Sequence, residues 1–185
     1  ETHVLRDFTG PSQPYGKRTD YCYAAMGRRE EFLQLFYRQN SKLQDRETLT
    51  FWEHYYKLSS QKTHEEAWFI QQLTWLFCFE EEDGLSLMKL APSTWFAPGA
   101  CLDIPELDTT WGRISLRVRG TTDTLEVTLT LKPGAVRTAG NVAIRLPAET
   151  FVPPTIGRYN LATQMLALGP GPLDITFAAL RREVD

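Results

Sequence analysis

Residues 67–79 read AWFIQQLTWLFCF, a run that is apolar on nearly every side once wound at 3.6 residues per turn. A surface helix buries one stripe, so a helix of this composition has to be covered on more than one side. Just ahead of it, Thr63-His64-Glu65-Glu66 has the spacing of a capping box, in which the Thr63 hydroxyl accepts the N–H three residues on and Glu66 reaches back to that of Thr63. Glu65 and Glu66 also place negative charge where the helix dipole is positive. The expectation is one helix from Thr63 through Phe79.

A second helical stripe lies upstream. In DYCYAAMGRREEFLQLFYRQN, residues Tyr21, Ala24, Ala25, Arg28, Phe32, Leu35 and Phe36 recur at mostly three- and four-residue spacings. This predicts a helix over Asp20–Asn40, with Thr19 or Asp20 as its cap and Asn40 as a left-handed stop. Two such helices cannot enclose the apolar one, so a further helical partner is expected from outside this sequence.

After EEEDG the period changes from helical to alternating. Ile114, Leu116 and Val118 interleave with Ser115, Arg117 and Arg119, and Leu125, Val127, Leu129 and Leu131 with Glu126, Thr128 and Thr130. Val142, Ile144 and Leu146 repeat the pattern, and PLDITFAAL closes it. Period two with turn signals at RGTTD, KPGA and GPGP predicts short antiparallel strands with one buried face, closing as a β-sandwich of about seven or eight strands. LSLMKLA is expected to be the first strand, and PSTWFAPG a turn or a single helical turn. The predicted division is residues 1–83, the end of a larger helical domain, and residues 84–185, a complete β domain.

Composition removes several function classes. A formal charge of −3 over 185 residues offers no basic field for a phosphate backbone, so nucleic acid is not expected as a partner. No apolar run approaches the roughly 20 residues that cross a bilayer, and no membrane partner is expected. The start, ETHVLRDFTG, has neither an initiating Met nor the layout of a signal peptide, so a trimmed or partial chain is expected and bacterial periplasm, secretion and cytoplasm all stay open. Cys22, Cys78 and Cys101 are odd in number, widely spaced and without His at ligand spacing, which points to buried free thiols rather than disulfides or a metal site. No phosphate loop or cofactor motif stands out.

Glu66, Trp68, Phe69, Leu73, Trp75 and Leu76 in the apolar helix form one part of a longer pattern. It continues through Leu85, Leu87, Lys89, Pro92, Trp95, Pro98 and Gly99 to Thr110-Trp111-Gly112-Arg113-Ile114-Ser115. Along nearly its whole length the chain resembles the C-terminal portion of bacterial glycoside-hydrolase-like proteins in which an (α/α)6 toroid precedes an antiparallel β-sandwich. The resemblance implies an α+β chain holding the last helices of the toroid, and a cleft for a polysaccharide or oligosaccharide at the toroid mouth. Most of that cleft, with one catalytic carboxylate, then lies in an upstream helical segment of the same precursor or a second chain, and the fragment alone is inactive.

Glycoside hydrolysis generally uses two carboxyl groups, one protonated and one ionised. Glu53 and Glu65 are the catalytic candidates. Glu53 sits in FWEHYY, where aromatic neighbours are expected to desolvate it and suit it to proton donation. Trp52, Tyr55 and Trp68 offer flat apolar faces to sugar rings, and His54 and His64 offer bonds to hydroxyls. Against this, the helix dipole accounts for Glu65 and the capping box for Glu66, and packing accounts for the aromatics. Tyr15, Lys17, Arg18 and Asp20 line a polar cleft or are plain loop polarity. Arg117 and Arg119 opposite Glu126 read as the wet face of a sheet. Trp95 and Trp111 either pack between domains or form an exposed platform for sugar. The alternative to an enzyme is a non-catalytic glycan- or protein-binding β-sandwich module.

Overall fold

In the computed structural model of the chain, which describes residues 19–53, 61–134 and 137–182, the helix expected over Asp20–Asn40 is two helices. α1 spans Thr19–Ala25 and α2 spans Arg29–Leu43. Gly27 separates them at φ 69°, and the amides of Gly27 and Arg28 close back on the carbonyls of Ala24 (3.1 Å) and Tyr23 (2.8 Å). A left-handed glycine with such bonds ends a helix rather than merely weakening it. Asn40 is not a stop, because α2 runs on to Leu43 and the Asn40 side chain is buried, donating to Gln72 Oε1 at 3.0 Å.

α3 spans Thr63–Phe77. The amides of Glu65 and Glu66 donate to the carbonyl of Lys62 at 2.9 and 3.1 Å, so the cap position falls on Lys62, one residue ahead of the expected Thr63. The helix also ends two residues early. Cys78–Glu80 forms strand β1, paired antiparallel with β2 (Gly84–Leu87) in the register Cys78↔Leu87. A run apolar on every side satisfies both the helical and the extended period, so periodicity cannot mark where one becomes the other.

The chain falls into two compact units, residues 1–75 and 76–185. The stretch 76–83, expected with the helices, therefore belongs to the β unit through β1. In the helical unit Phe32, Leu35, Phe36, Leu43 and Phe51 are buried. Phe69 of α3 stacks on Phe36 with ring centroids 5.9 Å apart and meets Phe51 at 5.0 Å. The cover over α3 is incomplete, and Ile70 is 63% exposed.

The β unit continues through β3 (Cys101–Thr109), β4 (Gly112–Gly120), β5 (Thr124–Pro133), β6 (Asn141–Arg145), β7 (Arg158–Asn160), β8 (Met165–Gly169) and β9 (Leu173–Leu180). They form a five-stranded sheet in the order β1-β2-β6-β8-β7 and a four-stranded sheet in the order β3-β4-β5-β9. One hydrophobic cluster draws on both, with Leu85, Leu87, Val142 and Ile144 from the first and Ile114, Leu116, Val118, Val127 and Leu129 from the second. The fold class is α+β with mostly antiparallel sheets, an arrangement compatible with a β-sandwich.

One pair departs from the antiparallel expectation. β2 and β6 run parallel, Leu85↔Val142 and Leu87↔Ile144, which the long connection through β3, β4 and β5 permits. The predicted strand LSLMKLA is shorter than expected, because Met88 adopts φ 56° and the chain turns after Leu87. PSTWFAPG holds a single 3-10 turn, Ser93–Phe96, as the sequence predicts.

Candidate functional site

Asp45 organises the loop that follows α2. Its carboxylate accepts the N–H groups of Glu47 (2.9 Å) and Thr48 (3.3 Å), while its own N–H donates to the Thr50 carbonyl at 2.8 Å. That folds the chain back so that Gln44 bridges Phe51 and the Trp52 N–H reaches the Leu43 carbonyl at 2.8 Å. The loop frames a groove of about 490 Å³ lined by Ser41, Lys42, Gln44, Asp45, Arg46, Glu47 and Trp52. Trp52 is half-buried and supplies the aromatic surface of this lining.

The two halves of the predicted site meet at Lys62. Its N–H donates to the Phe51 carbonyl at 3.2 Å, its Nζ lies 3.1 Å from Glu53 Oε2, and its carbonyl opens α3. Both side chains of this ion pair are partly exposed, 34% for Lys62 and 27% for Glu53. His54 and Tyr55, the neighbours on its C-terminal side, lie outside the described residues.

Glu65 is buried at 7% exposure, with Oε1 lying 3.2 Å from His64 Nε2, while the His64 side chain is 60% exposed. Trp68 is half-buried. Its indole Nε1 donates to Asp20 Oδ2 at 3.2 Å, and its ring meets Trp75 edge-on at 5.5 Å. The structure thus brings Trp52 to the groove and Glu53 to Lys62, and ties the half-buried Trp68 to Asp20.

The hydrogen bonds around Trp68 centre on Asp20, which the sequence offers as a helix cap, part of a polar cleft or plain loop polarity. Asp20 is fully buried, and its carboxylate accepts from the Tyr21 N–H (2.7 Å), the Trp68 indole and the Gln72 amide, whose Oε1 in turn accepts from Asn40. Nothing local in TDYCYAA announces the side-chain partners, because Trp68 and Gln72 lie 48 and 52 positions away along the chain. Tyr15, Lys17 and Arg18 lie outside the described residues.

In the β unit, Trp111 is buried beneath the Arg137 guanidinium, 5.6 Å from its ring, and Trp95 stacks on Phe77 at 5.0 Å, so the two do not make an exposed platform. The outer face of β4 is the wet face expected: Arg117 bonds Asp103 and Arg113 bonds Asp108 (2.7 Å). Hydrogen bonds to these carboxylates raise the pKa of both guanidiniums. Arg119 stands opposite Glu126 in register. No group of three or more His, Cys, Asp or Glu suited to a metal ion occurs among the described residues, and no described helix is long and apolar enough to cross a membrane.

No protein-family model, curated protein or solved structure matches this chain.

Proposed function

We propose that the chain is the C-terminal part of a carbohydrate-active enzyme, a glycoside hydrolase, whose helical unit supplies one wall of a sugar-binding cleft. The observation that carries this reading is the groove beside Trp52, in which an indole stands among Lys42, Asp45, Arg46 and Glu47. Its volume of about 490 Å³ falls in the range of small-molecule sites. An aromatic face takes the apolar C–H face of a sugar ring, while carboxylates accept from its hydroxyls and cationic groups donate to them. Glu53, next in the chain and ion-paired with Lys62, is the base or nucleophile of the pair. The proton donor comes from the rest of an (α/α)6 toroid, as an upstream segment of the same precursor or a second chain, and the exposed Ile70 of α3 supports such a helical partner. The chain alone is then a binder without turnover.

The test joins calorimetry on this chain with kinetics on the longer precursor. Trp52→Ala should weaken oligosaccharide binding at least about tenfold, the scale of one lost ring-stacking contact. Glu53→Gln should lower kcat of the precursor by about a hundredfold or more with binding retained. Unchanged binding in the first variant, or unchanged kcat in the second, refutes the assignment. The pairing of Glu53 with Lys62 and of Glu65 with His64 favours a second reading, a non-catalytic glycan- or protein-binding module, because each carboxylate already has a polar partner. Glycan binding by a precursor with no hydrolysis would select it.

A further inference from the structure

The two edges of the four-stranded sheet are built differently. β3 carries Pro105, a register shift between Ile104 and Leu107, and carboxylates at Asp103, Glu106 and Asp108. Each of these discourages pairing with another strand. β9 has none of the first two. Its eight residues pair with β5 in unbroken register from Leu173 to Leu180, with Asp174 as the single charge. In the five-stranded sheet the edge strands β1 and β7 are three residues each, too short to template much.

Two hydrogen bonds fix which backbone groups of β9 point away from β5. The Val152 N–H donates to the Leu180 carbonyl and the Arg182 N–H to the Thr150 carbonyl, both at 2.8 Å. By alternation Ala178, Thr176 and Asp174 also face outward. Phe151 thus forms a single antiparallel bridge to Arg181, and Pro153-Pro154, which lack N–H donors, follow it. From Asp174 to Ala178 the outward side has no backbone partner among the described residues, and all three outward residues are exposed. Behind them Leu173, Ile175 and Phe177 are only half-buried, whereas Ile114, Leu116 and Val118 on β4 are at most 2% exposed.

We propose that this edge docks a second copy of the chain, β9 against β9, antiparallel about a two-fold axis through Thr176. The free stretch ends at Pro172 on one side and at Leu180, occupied by Val152, on the other, and each lies four positions from Thr176. An antiparallel pairing centred on Thr176 therefore fills the gap and stops where each copy's own chain takes over. In that register Asp174 faces Ala178, Ile175 faces Phe177 and Thr176 faces its equivalent. The three outward-facing pairs each exchange two backbone hydrogen bonds, and no carboxylate opposes another. The contact is isologous and closed, so it ends at a dimer. It involves none of the groove residues and stands apart from the carbohydrate reading.

Sedimentation equilibrium on the full chain, with hydrogen exchange at several concentrations, tests it. We expect a concentration-dependent dimer in which the amides of Asp174, Thr176 and Ala178 become protected. Thr176→Pro, which removes an outward donor, should leave a monomer. Ala178→Asp, which sets a carboxylate opposite Asp174 twice over, should weaken the dimer about tenfold or more, while Ala178→Lys should not. Because Ala178 is exposed, its variants serve even if the proline variant fails to fold. A chain that stays monomeric at all concentrations overturns the proposal, and so does a dimer indifferent to Ala178→Asp.

Discussion

Asp20 and Cys78 show what burial does to single groups. The Asp20 carboxylate gathers an indole N–H, an amide and a backbone N–H at zero exposure. Truncating it strands those donors in the core, so Asp20→Ala should cost the helical unit about 3 kcal/mol, read from its denaturant midpoint. Asp20→Asn, which keeps an acceptor, should cost less. Cys78 is 3% exposed, and burial first, then the nearby Glu80 charge, pushes its thiol up to about 12. The unfolded thiol titrates near about 8.5. Its folded value lies above that, so its contribution is whole below about pH 8.5 and is lost as pH rises toward about 12, at no more than about 1.4 kcal/mol per pH unit. Comparing urea midpoints of the native chain and Cys78→Ala from pH 8 upward isolates this slope. At neutral pH a disulfide reagent should find the exposed Cys22 and Cys101 and spare Cys78 until the chain unfolds. The sequence expects all three thiols to be buried. Cys22 and Cys101 are not, since each lies on the outward side of its element, a fact set by orientation and invisible in neighbouring residue types.

Among the elements, the β4–β5 hairpin was the most legible. Its alternation was long, and every apolar residue from Ile114 to Val118 and from Leu125 to Leu131 did turn inward. Helix limits were less so. Gly27 lies inside the helical stripe of Asp20–Asn40, but its positive φ makes it a terminus. The direction of β2 was not in the local sequence at all, since parallel pairing with β6 joins residues more than 50 positions apart. That pair rests on a close backbone approach: a Cβ on Gly84 would stand 1.7 Å from the Asn141 carbonyl oxygen. Gly84→Ala should therefore separate β2 from β6 and cost about 3 kcal/mol or more, with exchange protection lost over Gly84–Leu87. Gly99→Ala is the control. It meets nothing within 4 Å and bears only the strain of φ 83°, on the order of 1 kcal/mol.

At the scale of the whole molecule, the sequence read a helical part that needs help and a β part that is self-sufficient, and the two compact units give each a measurable form. Every member of the main hydrophobic cluster, from Cys78 to Ala179, lies within residues 76–185. A β unit that owns its entire core has what it needs to fold by itself. The helical unit leaves Met26, Tyr37 and Ile70 more than half exposed and buries carboxylates at Asp20 and Glu65. The groove beside Trp52 is half legible in the sequence: the aromatic is evident, but Asp45, whose carboxylate folds the loop that frames it, is an ordinary polar residue until the loop closes. Expressed separately, residues 76–185 should melt in one cooperative transition with dispersed amide resonances. Residues 1–75 should not, unless helical sequence is added to cover α3. The difference follows from where the buried apolar area lies, and a cooperative 1–75 or a molten 76–185 would contradict it.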